Sequence, residues 1–189
     1  MNRTALFTTL AISATVATSA LAGLAPGAKA PDFTAPAYLA GKPFTFNMAE
    51  ARKKGPVVLY FFPSAHTKGC NLEAHLFSEA SEDFKAQGAT LIGVTAGKVN
   101  ELAAFSAETE HCGGKFPVAA DTGASIAKSY DSSLKMAGMS LPMALSARTS
   151  YVIAPDGTVI STYDNLAADD HVNQTMSSLK AWRAKHPKK

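Results

Sequence analysis

Cys70 and Cys112 are the two thiols of the 189-residue chain, and chemistry is most readily built on them. Two cysteines are too few for a disulfide framework or a four-cysteine zinc site. They suffice for a redox pair, for a structural bridge, or for one reactive thiol and a bystander. Cys70 ends the stretch Pro63-Ser64-Ala65-His66-Thr67-Lys68-Gly69-Cys70, which joins a run that reads as a buried strand to one that reads as an amphipathic helix. A thiol in the first turn of a helix faces unpaired backbone N–H groups and the positive end of the helix dipole. Both favour the thiolate, which is the nucleophile. Lys68 adds to this if its ammonium turns inward. The plain alternative is a small buried hydrophobe, and position alone does not separate the two.

The elements that must hold such a thiol follow from periodicity. Val57–Phe62 is six apolar residues ended by Pro63, the pattern of a strand buried on both faces. Leu72, Leu76, Phe77, Ala80 and Phe84 share one face of a helix over Asn71–Lys85. Ala89–Thr95 reads as a second buried strand, Val99–Glu108 as a helix, Phe116–Ala120 as a short strand and Ile126–Tyr130 as a turn or two of helix. Arg148–Ala154 and Thr158–Tyr163 are strands joined by Pro155-Asp156-Gly157, a hairpin. Asp169 or Asp170 is placed to cap a last helix, in which Val172, Met176, Leu179 and Trp182 share a face. Alternating units followed by a hairpin and a helix predict one α/β domain, a mixed central sheet with helices on both faces.

Met1-Asn2-Arg3 is a short basic start, Ala5–Ala20 is apolar or small, and Ala20-Leu21-Ala22 is a small-x-small site. This predicts a signal peptide over 1–22, cleaved after Ala22, and a folded domain over 23–189. The protein is therefore expected in the periplasm or secreted, an oxidising setting. The alternative is an N-terminal anchor; the short apolar stretch and the cleavage site argue against stable membrane insertion. With 18 basic and 15 acidic residues the net charge is +3, too small and scattered for nucleic-acid binding.

Pro63-x-x-x-Thr67-x-x-Cys70 resembles the active-site pattern of the peroxiredoxins of the AhpC/TSA type, thiol peroxidases with a thioredoxin-like fold. Thr67-Lys68-Gly69-Cys70 with Glu73 is most similar to the peroxiredoxin Q, or bacterioferritin-comigratory, branch. Pro26-Gly27-Ala28-Lys29-Ala30-Pro31-Asp32-Phe33 resembles that family's N-terminal segment, and Arg148–Ile153 with Pro155-Asp156-Gly157 its late arginine strand and hairpin. The resemblance implies that Cys70 is the peroxidatic thiolate, attacking a hydrogen peroxide or organic hydroperoxide and becoming a sulfenic acid. It implies that Thr67 bonds thiolate and peroxide, that Arg148 keeps positive charge beside Cys70, that Pro63 shields the site, and that Glu73 holds the Arg148 fork. No cofactor is implied. The reductant would be a thiol of unidentified source, and both monomer and homodimer suit the branch.

Many members of that branch carry a resolving cysteine five residues after the peroxidatic one; here the position is His75. Cys112, in Glu110-His111-Cys112-Gly113-Gly114, is then a resolver in a mobile segment, a partner in a static disulfide, or an unconnected thiol. A competing class is a copper-binding metallochaperone using His66, Cys70, His75 and the methionines of the Met136–Met143 loop. A Cys-x-x-Cys oxidoreductase is disfavoured, because position 73 is Glu73.

Overall fold

A computed structural model describes residues 23–136, 139–140 and 144–188. The expected signal peptide and the centre of the methionine loop lie outside the described residues. In chain order the strands are β1 (Thr34–Leu39), β2 (Lys42–Asn47), β3 (Val57–Phe61), β4 (Thr90–Thr95), β5 (Val118–Ala120), the short pair β6 (Lys135–Met136) and β7 (Met139–Ser140), β8 (Thr149–Ile153) and β9 (Val159–Asp164). The helices are α1 (Met48–Lys54), α2 (Lys68–Glu79), α3 (Ser81–Ala86), α4 (Leu102–Ala107, after a 3-10 turn at Val99–Glu101), α5 (Ser125–Ser129) and α6 (His171–Lys185). None of the described helices is long and apolar enough to cross a membrane.

Seven strands form one sheet in the order β2-β1-β5-β4-β3-β8-β9. β3, β4 and β5 are parallel, while β8, β9, β1 and β2 run antiparallel to their neighbours. Side chains alternate along a strand, so β3 feeds both faces. Val57, Leu59 and Phe61 enter one apolar layer with Met48, Ala51, Ala127 and Tyr151. Val58, Tyr60 and Phe62 enter the other, with Ala74, Phe77, Phe84, Leu102 and Leu179. The mixed sheet covered on both faces is as the pattern predicts, and both cysteines belong to the second layer.

Three local features depart from expectation. The β1–β2 hairpin escapes a reading by periodicity. The buried positions of β1, Ala35 and Ala37, are small, Phe46 alone is buried in β2, Pro36 interrupts β1, and the turn, Ala40-Gly41, places both residues in the left-handed region. The helix expected over Asn71–Lys85 begins earlier, at Lys68, and breaks at Ala80, where the Ser81 hydroxyl donates to the Ser78 carbonyl at 2.8 Å. α6 starts after Asp170, yet no aspartate side chain caps it.

Gly93 of β4 sits opposite Tyr60 in the parallel register. A Cβ there would come 2.8 Å from the phenol carbon and oxygen. Tyr60 has little room to withdraw, because its ring stacks on Phe77 at 4.4 Å and on Phe62 at 5.4 Å. Gly93→Ala is expected to lower stability by about 1–3 kcal/mol, the usual cost of overpacking. Urea unfolding measures it; an unchanged midpoint would mean that the aromatic layer yields freely.

Candidate active site

Cys70 is the third residue of α2, and Thr67 is the residue that precedes the helix, in extended geometry. The backbone N–H groups of a first helical turn have no partner within the helix, so they face outward toward a group placed there. The thiol is 1% exposed. Lys68 is exposed and supplies no inward charge. The cation beside the thiol is Arg148, whose Nη2 lies 3.5 Å from Cys70 Sγ.

Arg148 reaches the site because β8 is antiparallel to β3. Thr149 pairs with Phe61, so the residue just before β8 sits at the carboxyl end of β3, where the Cys70 loop departs. The guanidinium is 6% exposed and spends its donors in three directions. Nη1 donates to Glu73 Oε2, Nη2 to Cys70 Sγ, and Nε to the Leu166 carbonyl at 2.9 Å. Gly69 makes the approach feasible: a Cβ at that position would stand 3.0 Å from Arg148 Nη2. Burial opposes the Arg148 charge, but Glu73 and Cys70 outweigh it and hold the group above its usual range. Burial pushes the Glu73 carboxyl up, against the pull of Arg148. Arg148 is thus the fixed charge of the pair.

Behind Glu73 lies His171, the first residue of α6, which is fully buried with Nδ1 3.6 Å from Glu73 Oε1. Its Nε2 is 2.9 Å from the Asn165 carbonyl, which only accepts, so Nε2 carries the proton. Nδ1 then accepts from the Ser150 hydroxyl at 2.7 Å, and the ring is neutral.

Pro63 is half-buried where the chain leaves β3, and Gly97 packs so closely against it that a Cβ would meet the Pro63 carbonyl at 2.4 Å. Thr67 is exposed, and its hydroxyl donates to the Ser64 carbonyl at 3.1 Å, not to the thiol as the resemblance implies. The hydroxyl closes the turn before α2 and does not cap the helix. Cys112 is fully buried and, like Cys70, free. Burial alone pushes its thiol far up. Its carbonyl accepts from the Ser78 hydroxyl of α2 at 3.0 Å. Gly113 and Gly114 are not slack here. Both are left-handed, and their N–H groups close on the Glu108 and Ser106 carbonyls at 2.9 Å each. The tyrosine of β3, Tyr60, feels both thiols: burial first, then Cys112, Glu73 and Cys70, raise its phenol well above the usual value.

The metallochaperone reading does not find its site. Among the described residues, no cluster of metal-ligating groups includes Cys70 or His75. His75 instead borders a small surface hollow with Asn71, Leu72 and Glu110. Residues missed by sequence reasoning are Leu166 through its carbonyl, and His171; Gly69 stands in the Pro63–Cys70 motif, but its role is not legible there. Neither of the first two carries a local pattern, because each acts through a contact made by distant segments.

Burial and the Arg148 charge depress His171 below its ordinary value. As pH falls through about 6.5 the unfolded chain takes up a proton that the folded ring refuses, so stability present above that pH is lost below it. Urea midpoints should therefore drop between pH 7.5 and pH 5 more steeply for the wild type than for His171→Gln. Equal slopes would remove this assignment.

A family model for the AhpC/TSA family matches residues 26–162. Peroxiredoxin Q of Arabidopsis thaliana chloroplasts is 31% identical over 172 residues, 88% of this chain and 74% of that one. Peroxiredoxin Q of Sedum lineare chloroplasts is 28% identical over 147 residues, 74% of this chain and 75% of its own. The crystal structure of peroxidoxin BcpB from Mycobacterium tuberculosis superposes with a TM-score of 0.72 at 24% identity, covering 84% of this chain and 97% of that one, a likeness of fold. With a buried thiol at a helix start, an arginine on its sulfur and a family match over most of its length, the chain belongs to the AhpC/TSA family of thiol peroxidases, the peroxiredoxins.

Proposed function

We propose that this thiol peroxidase reduces hydrogen peroxide or small organic hydroperoxides at Cys70. The observation that carries the reading is the 3.5 Å contact between Cys70 Sγ and an arginine whose Nε and Nη1 are engaged by the Leu166 carbonyl and Glu73. A fixed cation and a helix N-terminus stabilise negative charge on sulfur before reaction and on oxygen as it develops. The thiolate attacks the terminal peroxide oxygen, the O–O bond breaks, and the electron pair leaves on the alkoxide or hydroxide, which takes a proton. Sulfur is oxidised to the sulfenic acid and the peroxide is reduced to alcohol or water. Thr67 would meet the peroxide by turning its hydroxyl from the Ser64 carbonyl, and Pro63 would limit water access. Glu73 sets the plane of the guanidinium, with His171 behind it.

We further read Cys112 as the resolving thiol. Its attack on the Cys70 sulfenic acid would expel water and form a disulfide that an external dithiol reduces. The two Cα atoms must come within about 7 Å for that bond. Since both thiols are buried and free, and Cys112 is far from its nucleophilic form where it lies, the step requires local unfolding. The leader over 1–22 would place this cycle in the periplasm or outside the cell, with a thiol donor resident there.

Cys70→Ser should abolish peroxide consumption supported by dithiothreitol. Arg148→Ala should slow the oxidation step by about 10²–10³-fold, and Arg148→Lys should recover little, because lysine cannot serve three partners from one planar fork. Stopped-flow peroxide kinetics measure both, and retained activity in Cys70→Ser would refute the mechanism. Non-reducing mass analysis after one equivalent of peroxide tests the second step. An intramolecular Cys70–Cys112 disulfide, reversible by thiol, is expected; a stable Cys70 sulfenic acid beside free Cys112 would make the enzyme a one-cysteine peroxidase.

A further inference from the structure

A second cluster of ligating groups stands beside the active site without entering it. His66 lies in the loop before Thr67, while Glu108 and His111 lie in the turn that leads to Cys112. Glu108 Oε2 is 3.1 Å from His66 Nε2 and 2.8 Å from His111 Nδ1. The remaining His66 nitrogen, Nδ1, meets Glu101 Oε2 at 2.6 Å. The His111 ring lies flat on Phe105 at 4.7 Å and is 7% exposed, and its Nδ1 is buried without a hydrogen-bond partner. That nitrogen is aimed at the Glu108 oxygen, yet out of alignment for a hydrogen bond to it.

We propose that His66 Nε2, His111 Nδ1 and Glu108 Oε2 form a binding site for a divalent transition cation of the zinc type, with Glu101 orienting His66 as a positioning residue. Two imidazoles and one carboxylate are a three-ligand zinc set that leaves a fourth position open. Ligand atoms about 2.1 Å from a tetrahedral ion stand about 3.4 Å apart, so the observed separations to Glu108 need to widen by only tenths of an ångström. The Glu101–His66 bond matches the carboxylate that holds a metal-bound imidazole in one tautomer and orientation. Hard cations are poorly served, since calcium and magnesium take six or more ligands, chiefly oxygen. The Glu108 side chain is 41% exposed, which gives the ion a route from solvent.

The geometry also says what an ion would do. His66 comes four residues before Cys70 and His111 is the neighbour of Cys112. A bound cation would cross-link the two segments that carry the thiols, adding to the folded state a tie that the unfolded chain lacks.

The proposal is independent of the peroxidase reading, because its test uses no peroxide. Zinc chloride is titrated calorimetrically into the full domain carrying Cys70→Ser and Cys112→Ser, which removes the thiols as competing ligands. One ion per chain is expected, together with a raised unfolding temperature. His66→Ala and His111→Ala should each weaken binding at least about tenfold, and Glu101→Gln about tenfold through loss of orientation. Circular dichroism checks folding, and His66→Ala, at a half-exposed loop position, decides the matter if the buried His111 variant does not fold. Failure of the double-serine protein to bind zinc, or undiminished binding by His66→Ala, would overturn the site.

Discussion

A buried guanidinium is the constraint on which the rest of this structure depends. Taking a cation out of water costs several kcal/mol unless its donors are met. Arg148 is accommodated because three segments converge on it: a carboxylate and a sulfur from α2, and a carbonyl from the loop that leads to α6. The partners do not substitute for one another. Glu73 supplies a buried carboxyl oxygen to Nη1 and the Leu166 carbonyl holds the fork at its base. Nη2 is then directed at Cys70 Sγ. The positive charge at the thiol is therefore fixed by geometry, without the reorganisation that a solvated lysine would require.

The sheet order explains why these segments meet. Placing β8 between β3 and β9, antiparallel to β3, brings a residue 78 positions downstream of Cys70 to the end of the strand that launches the Cys70 loop. The carboxyl ends of parallel strands are where an open α/β sheet leaves room for chemistry. Here the antiparallel partner delivers the cation to that same edge. Glycines then set the tolerances. Gly69 lets the guanidinium approach the first turn of α2, and Gly97 lets the loop after β4 close against Pro63 and Ser64. At both places a methyl group would displace the machinery, although neither residue reacts.

How much of this was legible in the sequence follows from where each contact originates. The β3 strand, the body of α2 and the β8–β9 hairpin are written in local patterns: an apolar run, a helical stripe and Pro155-Asp156-Gly157. Cys70, Arg148 and Glu73 came from spacing together with resemblance, and the structure brings the three side chains into contact. The β1–β2 hairpin was hidden by its small buried alanines, and the break at Ala80 by a continuous apolar stripe that a serine–carbonyl bond interrupts. His171 was silent for a different reason. Its partners, Ser150, Asn165 and Glu73, come from a strand, a loop and a distant helix, and only the fold assembles them. Thr67 marks the limit of resemblance: its position matches the family pattern, but its hydroxyl is engaged by Ser64.

The same helix that presents Cys70 also fastens Cys112. Ser78, two turns further along α2, donates its hydroxyl to the Cys112 carbonyl, and the Lys115 ammonium reaches the Ser78 carbonyl at 3.3 Å. The turn holding Cys112 is otherwise closed by its own backbone through Gly113 and Gly114, and two attachments couple it to the active site, one to Ser78 of α2 and one from Glu108 to His66 of the Cys70 loop. Unwinding α2 from its first turn would expose Cys70, and carried as far as Ser78 it would release the Cys112 carbonyl as well. In the proposed cycle one structural event would thus loosen both ends of a prospective disulfide, with the His66–Glu108 contact still to part. Helix formation is cooperative, so the loss of early turns weakens later ones. Opposing it are the Arg148 contacts at the start of α2 and the Tyr60–Phe77 stack near its middle. Arg148 grips the start of α2 through both Cys70 and Glu73, so the proposed oxidation of Cys70 would act at that grip. Adding an oxygen to the sulfur, as the proposed cycle would, changes the group that Arg148 Nη2 holds. In the proposed cycle, chemistry at Cys70 would then be coupled to the motion that Cys112 needs.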